Sequence, residues 1–478
     1  MDRVSWTPSK ASTLAAPMTE SRPSESNAPP SIQRRELLRA GGAVGAALFG
    51  GQALSGCSSM SRQPSGPAPD QPLVTPPMER VRIGFVGVGG MGTNHVHQLM
   101  KCEGAEIHAI CDIDQENAER AAKIVTDAGQ KPPTLYTRGD LDFERMCAEE
   151  DLDVVYTATP WEWHVPVCVA AMESGKHAVT EVPAAPTVEG CWELVETAER
   201  LGKHCIMLEN CCYDRDEMLC LNMVRQGLLG EVLHGECGYL HDLRGIKFSD
   251  GGEGLWRRAH SVQRDANLYP THGLGPVAQC MDINRGDRLD YLVSMSGPSR
   301  GLQDWQREHL AVDDPRQAER YKLGDVNLTL IKTVRGKTIY LVHDTNLPRP
   351  YSRLHIVQGT KGIFEKYPTR VHIEGVSQGH GWSDRVEFEQ YEHPMWQREE
   401  TQNATGGHGG MDYLENARLI SALRAGHQTE MNVYDAAMLS CIVGLTETSV
   451  TNRSRPVDVP DFTRGRYEAW SPIPIVGV

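Results

Sequence analysis

The chain has 478 residues, of which 40% are hydrophobic, and a formal net charge of -15 at pH 7. This length suffices for two or three domains with cores of their own, which excludes a fibrous or disordered protein. The acidic charge disfavours a surface that binds nucleic acid or an anionic membrane. We therefore expect a small-molecule ligand and no nucleic-acid partner. The 13 cysteines are odd in number and lack Cys-x-x-Cys pairs, which predicts neither a zinc ribbon nor a disulfide framework.

Residues 1–57 are predicted to form an export signal. Arg34 and Arg35 precede a modestly apolar stretch that is too short to span a bilayer, an arrangement that resembles a twin-arginine signal. The stretch ends in LSGC, which resembles a lipobox and makes Cys57 a candidate for a lipid anchor; ordinary cleavage nearby is the alternative. The twin-arginine export machinery is therefore an expected partner, and the expected location is periplasmic, either free or as a membrane-anchored lipoprotein.

A Pro-, Ser- and Gly-rich segment at residues 58–79 predicts a disordered linker. Beyond it, at residues 80–208, short apolar runs alternate with helical stretches. This alternation predicts a doubly wound parallel sheet of the Rossmann type. The apolar runs are VRIGFVGV, EIHAICDI, LDVVYTATP, KHAVTEVP and HCIMLEN.

A glycine-rich turn joins the first of these strands to a helix and predicts a dinucleotide site. Glycines let the backbone approach a pyrophosphate at the helix N-terminus, and an acidic residue 20 positions past Gly92 can bind the adenosine ribose. Because that residue is a carboxylate, which repels a 2′-phosphate, NAD is favoured over NADP. The predicted cofactor residues here are Gly87, Gly89, Gly90, Met91, Gly92 and Asp112.

The second half, residues 209–478, is predicted to form an α+β domain with a large, mostly antiparallel open sheet. A helix at residues 217–226 precedes longer strand-like segments, and Arg335-Gly336 sits where a hairpin would turn. A late helix at residues 411–425 carries apolar residues at helical spacing and ends at Gly426.

Two domains of this kind, with GKHAVTEVPAAP and later GTKGIFE, resemble the glucose-fructose oxidoreductase, inositol dehydrogenase and rhizopine-catabolism family. In the dehydrogenases of that family the first segment carries Glu-Lys-Pro, and the lysine helps to move a proton. Here Val182 stands in the lysine's place and can neither donate nor accept one. A plain dehydrogenase is therefore disfavoured.

Longer motifs, spread in order over residues 81–462, resemble glycoside hydrolase family 109. They are WEWH at 161–164, ENCCY at 209–213, GYLHDLR at 238–244, YPTHG at 269–273, MDINRG at 281–286 and GGHGGMDY at 406–413. Gly90-Met91 departs from the family, which often has a larger residue followed by Arg. The resemblance implies an NAD-dependent N-acetylgalactosaminidase that oxidises C3 of the sugar, eliminates the C1 substituent with loss of the C2 proton, adds water and reduces C3 again.

The resemblance also implies roles for individual residues. Tyr269 and His272 additionally lie together at a predicted helix start, where a neutral imidazole suits a nicotinamide. The C2 base is left open among the three implied catalytic residues, which are His272, Tyr269 and Tyr213. The implied cofactor residues are Trp161, Glu162, Trp163, His164, Glu181, Val182 and Asn210. The implied substrate residues are Tyr239, Arg257 (with Arg258 as its alternative), Tyr269, Pro270, Thr271, His272 and Tyr351.

Two other functions remain open on the sequence, a periplasmic NAD(P)-dependent sugar oxidoreductase and a catalytically silent sugar-binding lipoprotein. No metal site is expected, because His95 and His97 have the wrong spacing for one helix face and His408 sits in a glycine-rich loop without ligand partners. The family resemblance further implies that the domain at residues 209–478 binds substrate and pairs subunits into a homo-oligomer, since open sheets of this kind commonly pair between subunits.

Overall fold

A computed structural model describes residues 75–398, 401, 407–427 and 429–476. The predicted export signal with Cys57, and all but the last few residues of the predicted linker, lie outside these residues. Within the described residues no helix is both long enough and apolar enough to cross a bilayer.

The first sheet has six parallel strands in the order β3-β2-β1-β4-β5-β6, which confirms the predicted Rossmann topology. The strands β4 and β5 are buried along their whole length, because helices cover both faces of the sheet. The three-residue strand β3 was not predicted, since it is too short to show an apolar period. The strands are β1 Val81–Val86, β2 Ala105–Cys111, β3 Thr134–Tyr136, β4 Val154–Thr157, β5 His177–Thr180 and β6 Cys205–Met207. The helices between and after them are α1 Gly90–Leu99, α2 Gln115–Asp127, α3 Asp142–Glu149, α4 His164–Glu173 and α5 Val188–Leu201.

The second sheet has nine strands in the order β14-β13-β12-β11-β7-β10-β9-β8-β15. All of its pairs are antiparallel except β7 with β10, which confirms the predicted open sheet. The predicted hairpin joins β9 to β10, where Gly336 takes a positive φ of 89°. The strands are β7 Val232–Leu240, β8 Leu289–Ser296, β9 Asn327–Thr333, β10 Thr338–Asp344, β11 Ile356–Gly359, β12 Gly362–Glu365, β13 Arg370–Ile373, β14 Ser383–Asp384 and β15 Val457–Asp458. The accompanying helices are α6 Arg215–Arg225, α7 Arg244–Lys247, α8 Arg257–Gln263, α9 Thr271–Cys280, α10 Gly301–His309, α11 Pro394–Gln397, α12 Met411–Ala425 and α13 Val433–Thr451.

Helix α9 lies directly on the backbone of β7. A Cβ atom on Gly273 would come within 2.4 Å of the Gly238 amide nitrogen, so only glycine permits this approach. Farther along the helix, Val277 fills the space above Gly235, where an added Cβ would lie 2.5 Å from its Cγ1 atom. The close contact holds the first turn of α9, with Thr271 and His272, against one end of the second sheet.

Helix α12 spans the predicted residues and ends at Gly426 in the left-handed conformation. Its apolar residues pack into the core of the first domain, where Leu419, Ile420 and Leu423 join Val96 and Leu99 of α1. The chain thus returns to the nucleotide-binding sheet after completing most of the second one, and the start of α12 is brought beside the ends of the first-sheet strands.

Candidate active site

The glycine-rich turn forms an open cradle at the N-terminus of α1. Gly87 has a φ of +81°, and an added Cβ on Gly89 or Gly90 would meet nothing within 4 Å. No side chain caps the helix and no acidic residue lies in its first turn, so its amide donors are available to an anion. This open space with free N–H donors fits the pyrophosphate of a dinucleotide.

Asp112, directly after β2, stabilises the same turn through hydrogen bonds. One carboxylate oxygen accepts from the Val88 amide at 2.7 Å and the other from the Asp114 amide at 2.8 Å. Each oxygen keeps a lone pair, which can accept from the hydroxyls of an adenosine ribose. The fit to NAD thus extends from the pyrophosphate to the ribose.

Gly92 sets the distance between this turn and α1. An added Cβ on Gly92 would lie 2.0 Å from the Gly87 carbonyl oxygen, so Gly92→Ala is expected to displace the turn. The substitution should destabilise the cofactor-free protein by about 1–3 kcal/mol and abolish NAD retention. Gly90→Ala is the matched control, which should keep the cofactor-free stability and weaken only NAD binding, because its methyl group would enter the open cradle. Thermal unfolding and NAD titration of both variants measure this, and equal stability of the two cofactor-free variants would contradict it.

The predicted cofactor residues 161–164 are divided among three environments. The buried His164 ring lies between the carbonyl oxygens of Thr159 (2.9 Å) and Pro183 (2.8 Å). Burial lowers the pKa of His164, so the neutral ring donates to one carbonyl at a time and ties the loops after two strands together. Trp163 packs edge-on against Phe143.

The other two residues of this segment point toward the second domain. Trp161 is buried, with its ring 5.8 Å from that of Tyr269. Glu162 lies 3.7 Å from the Nε2 atom of His260. Trp161 therefore joins the predicted substrate residues, whereas Glu162 stays near the rim.

Glu181, at the end of β5, belongs to a polar network beneath the cradle. Its carboxylate accepts from His95 at 2.6 Å and from the Val182 amide at 3.0 Å. The other ring nitrogen of His95 contacts Asn416 of α12 at 2.9 Å. Val182 is buried, so an apolar side chain occupies the position where the dehydrogenases have lysine.

A carboxylate–imidazole pair lies where α9 meets the first sheet. Glu209 is fully buried two residues after β6, and one of its oxygens is 2.8 Å from Nδ1 of His272, whose side chain is 12% exposed. The Cys211 amide also donates to this carboxylate, at 3.1 Å. Burial by itself would raise the pKa of Glu209, but the charge of His272 and these hydrogen bonds hold it below the usual value. Because a carboxylate only accepts, Nδ1 carries hydrogen, so Nε2 is the ring nitrogen that can exchange a proton with a substrate.

Aromatic rings surround the exposed edge of His272. The ring centroids of Tyr269 and Tyr239 lie 4.7 and 5.3 Å from that of His272, and 4.6 Å from each other. Tyr351 contacts Tyr239 edge-on. The structure therefore brings four predicted site residues together. Pro270 and Thr271 are buried at the start of α9, beneath them.

Arg257 closes this cluster on one side. Its guanidinium lies 5.0 Å above the Tyr269 ring and 5.1 Å from that of Trp161, and its charge is paired with Glu253 at 2.7 Å. Arg258 faces away and pairs with Glu319 at 2.8 Å. Of the two arginines that the sequence left open, Arg257 is the one beside the predicted substrate residues.

Tyr213 is not part of this cluster. Its ring is buried and its hydroxyl donates to Glu430 at 3.2 Å, next to Arg418, while its carbonyl oxygen accepts from Trp396. Burial raises the pKa of Tyr213 well above its usual value, which keeps the hydroxyl protonated. Neither its position nor its protonation suits the predicted role of base, and we assign it a packing role.

Glu209, Cys211 and His272 are the one group of potential metal ligands within the described part of the chain, with their ligand atoms within 4.8 Å of one another. Burial raises the pKa of the Cys211 thiol well above its usual value, and the thiol donates to Asn210. A protonated thiol is a poor ligand. This donor set therefore fits a hydrogen-bonded dyad better than a metal, and the absence of a metal site stays a prediction.

Several residues of the site were missed by sequence reasoning. Glu209 was quoted within a motif but given no role, although it follows a strand in the same way as Asp112. Arg353 donates to the hydroxyl of Tyr351 at 2.8 Å and is itself held by Glu217 at 2.8 Å and Asp214 at 3.0 Å. Since arginine only donates, the Tyr351 hydroxyl must direct its hydrogen elsewhere.

Comparisons with known proteins agree with this division into a dinucleotide cradle and a second-domain cluster. Residues 81–209 match the family profile described as "Oxidoreductase family, NAD-binding Rossmann fold", and residues 213–469 match "Glycosyl hydrolase 109, C-terminal domain". A "Glycosyl hydrolase family 109 protein" of Shewanella sp. (strain W3-18-1) is 46% identical over 93% of this chain and 99% of its own. The chain belongs to glycosyl hydrolase family 109.

Other relatives of this family 109 protein carry a more specific name. One is the "Alpha-N-acetylgalactosaminidase" of Shewanella oneidensis, which is 45% identical over 93% of this chain and 99% of its own. Membership of the family confirms the predicted glycoside hydrolase and its NAD cofactor.

Solved structures share the fold of the family 109 protein at lower identity. An NAD-binding oxidoreductase from Klebsiella pneumoniae is 17% identical with a TM-score of 0.63, and levoglucosan dehydrogenase in complex with NADH is 19% identical with a TM-score of 0.60. Each match covers 80% of this chain and the whole of the other. These likenesses confirm the two-domain architecture.

Proposed function

We propose that this family 109 enzyme hydrolyses terminal α-N-acetylgalactosaminides, as the name of its relative from Shewanella oneidensis implies. The observation that carries the proposal is the Glu209–His272 pair, which lies against a cluster of tyrosines and one arginine. Glu209 follows a strand of the same parallel sheet as the NAD cradle. A proton acceptor next to a hydride acceptor is what oxidation of a sugar hydroxyl requires.

NAD held by the backbone of Gly87 to Gly92 and by Asp112 would supply a reversible hydride acceptor for C3 of the sugar. His272, with Nδ1 held by Glu209, takes the proton of the C3 hydroxyl on Nε2. The resulting C3 ketone acidifies the C2 hydrogen, so that a modest base removes it and the C1 substituent is expelled. Water then adds at C1.

The C2 proton passes to His272 or Tyr269, the two candidates that the structure places in the pocket. Burial raises the pKa of Tyr269 well above its usual value, which favours a neutral phenol that donates hydrogen bonds. We therefore assign the base role to His272, whose Nε2 atom accepts the C2 proton after the C3 proton has passed to solvent, and a hydrogen-bonding role to Tyr269.

Arg257, Tyr239 and Tyr351 are the groups that would hold the sugar. A guanidinium and phenolic hydroxyls donate to hydroxyl and acetamido oxygens, and the tyrosine rings offer apolar faces to a sugar ring. The direction of the Tyr351 hydroxyl is set by Arg353, so this contact is positioned before substrate arrives.

The solvent-exchange assay tests the mechanism. The enzyme with its own NAD is incubated in heavy water with an aryl N-acetylgalactosaminide, and deuterium is expected at C2 of the released sugar, together with free aryl alcohol and no net NADH. Net NADH with an oxidised sugar would instead identify a sugar oxidoreductase. Hydrolysis without deuterium at C2 would rule out elimination.

We further propose that two copies of the chain pair through the outer face of the second sheet. This face carries four exposed apolar side chains on adjacent strands, namely Tyr291, Met295, Leu328 and Leu330. Single exposed apolar residues are common on protein surfaces, whereas a contiguous apolar patch of this kind is typical of an interaction site. Leu330→Asp is expected to reduce the mass in analytical ultracentrifugation, whereas Val312→Asp, at an isolated exposed position, is the control. A monomeric wild-type protein would refute the pairing.

The export route remains a proposal from the sequence. Arg34 and Arg35 support passage through the twin-arginine machinery, which carries folded proteins and would let NAD be installed beforehand. Replacing both arginines by lysine should retain the enzyme in the cytoplasm. Mass spectrometry of the mature N-terminus then tests whether Cys57 carries a lipid or cleavage occurs nearby; recovery of an uncleaved, unexported wild-type chain would refute the signal.

A further inference from the structure

A carboxylate lies on the solvent side of Arg257. Glu253 belongs to a short helical turn at Gly252–Leu255, and its side chain is 42% exposed, whereas that of Arg257 is 9% exposed. The two side chains form an ion pair at 2.7 Å. Glu253 is thus the outer partner of a guanidinium that lies over the rings of Tyr269 and Trp161.

The backbone around Glu253 is fixed by close contacts. A Cβ atom on Gly254 would lie 2.1 Å from the Ser249 carbonyl oxygen, so glycine is required at this position. Arg258 donates to the Gly254 carbonyl oxygen at 3.2 Å and to that of Lys247 at 3.0 Å. Because these contacts hold the turn against the first residues of α8, the fold keeps the Glu253 carboxylate within reach of Arg257.

The ion pair leaves part of the hydrogen-bonding capacity of Arg257 unused. The Nε–H group of Arg257 is buried and has no acceptor in line with it among the described residues, although an oxygen of Glu253 lies 2.7 Å away. Glu253 therefore balances the charge of Arg257 without accepting a well-aligned hydrogen bond from Nε. Donors of the guanidinium remain for the oxygen atoms of an uncharged sugar.

Glu253 is the main negative charge that acts on Arg257. Burial opposes the charge of Arg257, and Glu253 is the group that does most to raise its pKa above the usual value. On the inner side lies Lys247, a further basic group, whose pKa is lowered to about 7 by burial and by Arg257. The other carboxylates around the tyrosine cluster have partners of their own, namely His272 for Glu209, His95 for Glu181 and Arg244 for Asp242.

This arrangement bears on which sugars the site accepts. Arg257 alone would attract a sulfate or carboxylate substituent, but beside the Glu253 carboxylate such a group meets a like charge, which should weaken its binding by about 10-fold or more. We propose that Glu253 is a specificity-determining residue that neutralises Arg257 and thereby restricts the enzyme to uncharged sugars. The inference rests on the proposed function, in which Arg257 holds the sugar.

Calorimetric titration of the holoenzyme with N-acetylgalactosamine, its 4-sulfate and its 6-sulfate tests the proposal. The wild-type enzyme should bind the neutral sugar at least about 10-fold more tightly than either sulfate. Glu253→Gln keeps the shape of the side chain and removes its charge, so the neutral sugar should bind within about 3-fold of wild type while at least one sulfate gains about 10-fold. Glu319→Gln is the matched control, because it removes the carboxylate that pairs with Arg258, and it should change none of the three affinities.

Inorganic sulfate separates the role of Glu253 from the proposed function, since its binding requires no sugar. Glu253→Gln should bind sulfate about 10-fold more tightly than wild type. The gain should shrink in concentrated sodium chloride and disappear when Arg257→Gln is added. An unchanged ratio of sulfated to neutral sugar affinity, or no gain in sulfate binding, would overturn the proposal. If the wild-type enzyme releases no alcohol from any N-acetylgalactosaminide, the proposed function is wrong, and the sulfate titration still decides whether Glu253 excludes anions.

Discussion

Replacing His272 with glutamine is expected to lower kcat for glycoside hydrolysis by about 10²–10⁴-fold, the usual contribution of a positioned acid–base group. The same variant should lose the transient NADH signal, since the C3 proton has no acceptor. NAD binding should persist, because the cradle at Gly87 to Gly92 lies on other elements. Stopped-flow absorbance and equilibrium NAD titration measure the two quantities separately.

Glu209→Gln is expected to lower kcat by about 100-fold, because misorientation of a reacting group has effects of that size. The amide has no charge to stabilise the imidazolium. Its oxygen can still accept from Nδ1–H of His272 and from the Cys211 amide, but its NH2 group sets a second donor against Nδ1, where the carboxylate has an acceptor oxygen at 3.1 Å. The acidic limb of the kcat/KM profile should therefore move to lower pH, a shift that a purely structural role would not produce.

Tyr213→Phe tests whether Tyr213, rather than His272, is the base at C2. Since the Tyr213 hydroxyl is bonded to Glu430 outside the pocket, activity and C2 deuterium exchange should stay within a few-fold of wild type. A loss comparable with that of His272→Gln, together with loss of C2 exchange, would restore Tyr213 as the base and contradict the placement of His272.

The parts of the site that lie at strand ends were predictable from local sequence. Gly87, Asp112, Glu181 and Asn210 all follow buried strands of a parallel sheet, and the carboxyl ends of such strands share one edge. The same rule applied to Glu209 would have found the partner of His272. It was overlooked because a glutamate beside apolar residues carries no periodic signal of its own.

The contacts between distant segments were not predictable in this way. Trp161 and Arg257 meet across the two domains, and whether Arg257 or Arg258 faces the pocket depends on the rotation of a short helix. His408 and Asp412 are four residues apart, but their approach depends on four consecutive positive φ values. Only the return of α12 to the first domain places this pair beside Asn210.

Acid is expected to destabilise the enzyme between pH 7 and pH 5 through its buried histidines. Burial lowers the pKa to about 3 for His177, His343 and His355, and to about 4 for His204 and His393. The unfolded chain binds protons on these rings below about pH 6.5, whereas the folded chain does not. The full contribution of these histidines to the free energy of unfolding is therefore present above about pH 6.5. The free energy of unfolding falls as the pH decreases, by about 2 kcal/mol per histidine at pH 5.

His355→Asn isolates one of these contributions. Asparagine tolerates the positive φ of 50° at this position, and neither ring nitrogen of His355 has a hydrogen-bond partner in the described structure. The variant is expected to narrow the difference in unfolding free energy between pH 7 and pH 5 by about 2 kcal/mol. The difference between the two pH values, rather than the absolute stability, is the measure, because it cancels the pH-independent effect of the substitution.

The neutral state of His355 also bears on the substrate residues. Besides burial, Lys366 and Arg353 lower the pKa of His355, and Arg353 holds the Tyr351 hydroxyl. A proton on His355 would add a positive charge to those of Lys366 and Arg353, next to the Glu217 and Asp214 carboxylates that hold Arg353. Because the pKa of His355 in the folded enzyme is about 3, the ring stays neutral at pH 5, so the wild-type enzyme and His355→Asn should have parallel KM profiles between pH 7 and pH 5. A larger rise in KM at pH 5 for the wild-type enzyme would show that His355 takes up a proton in the folded state.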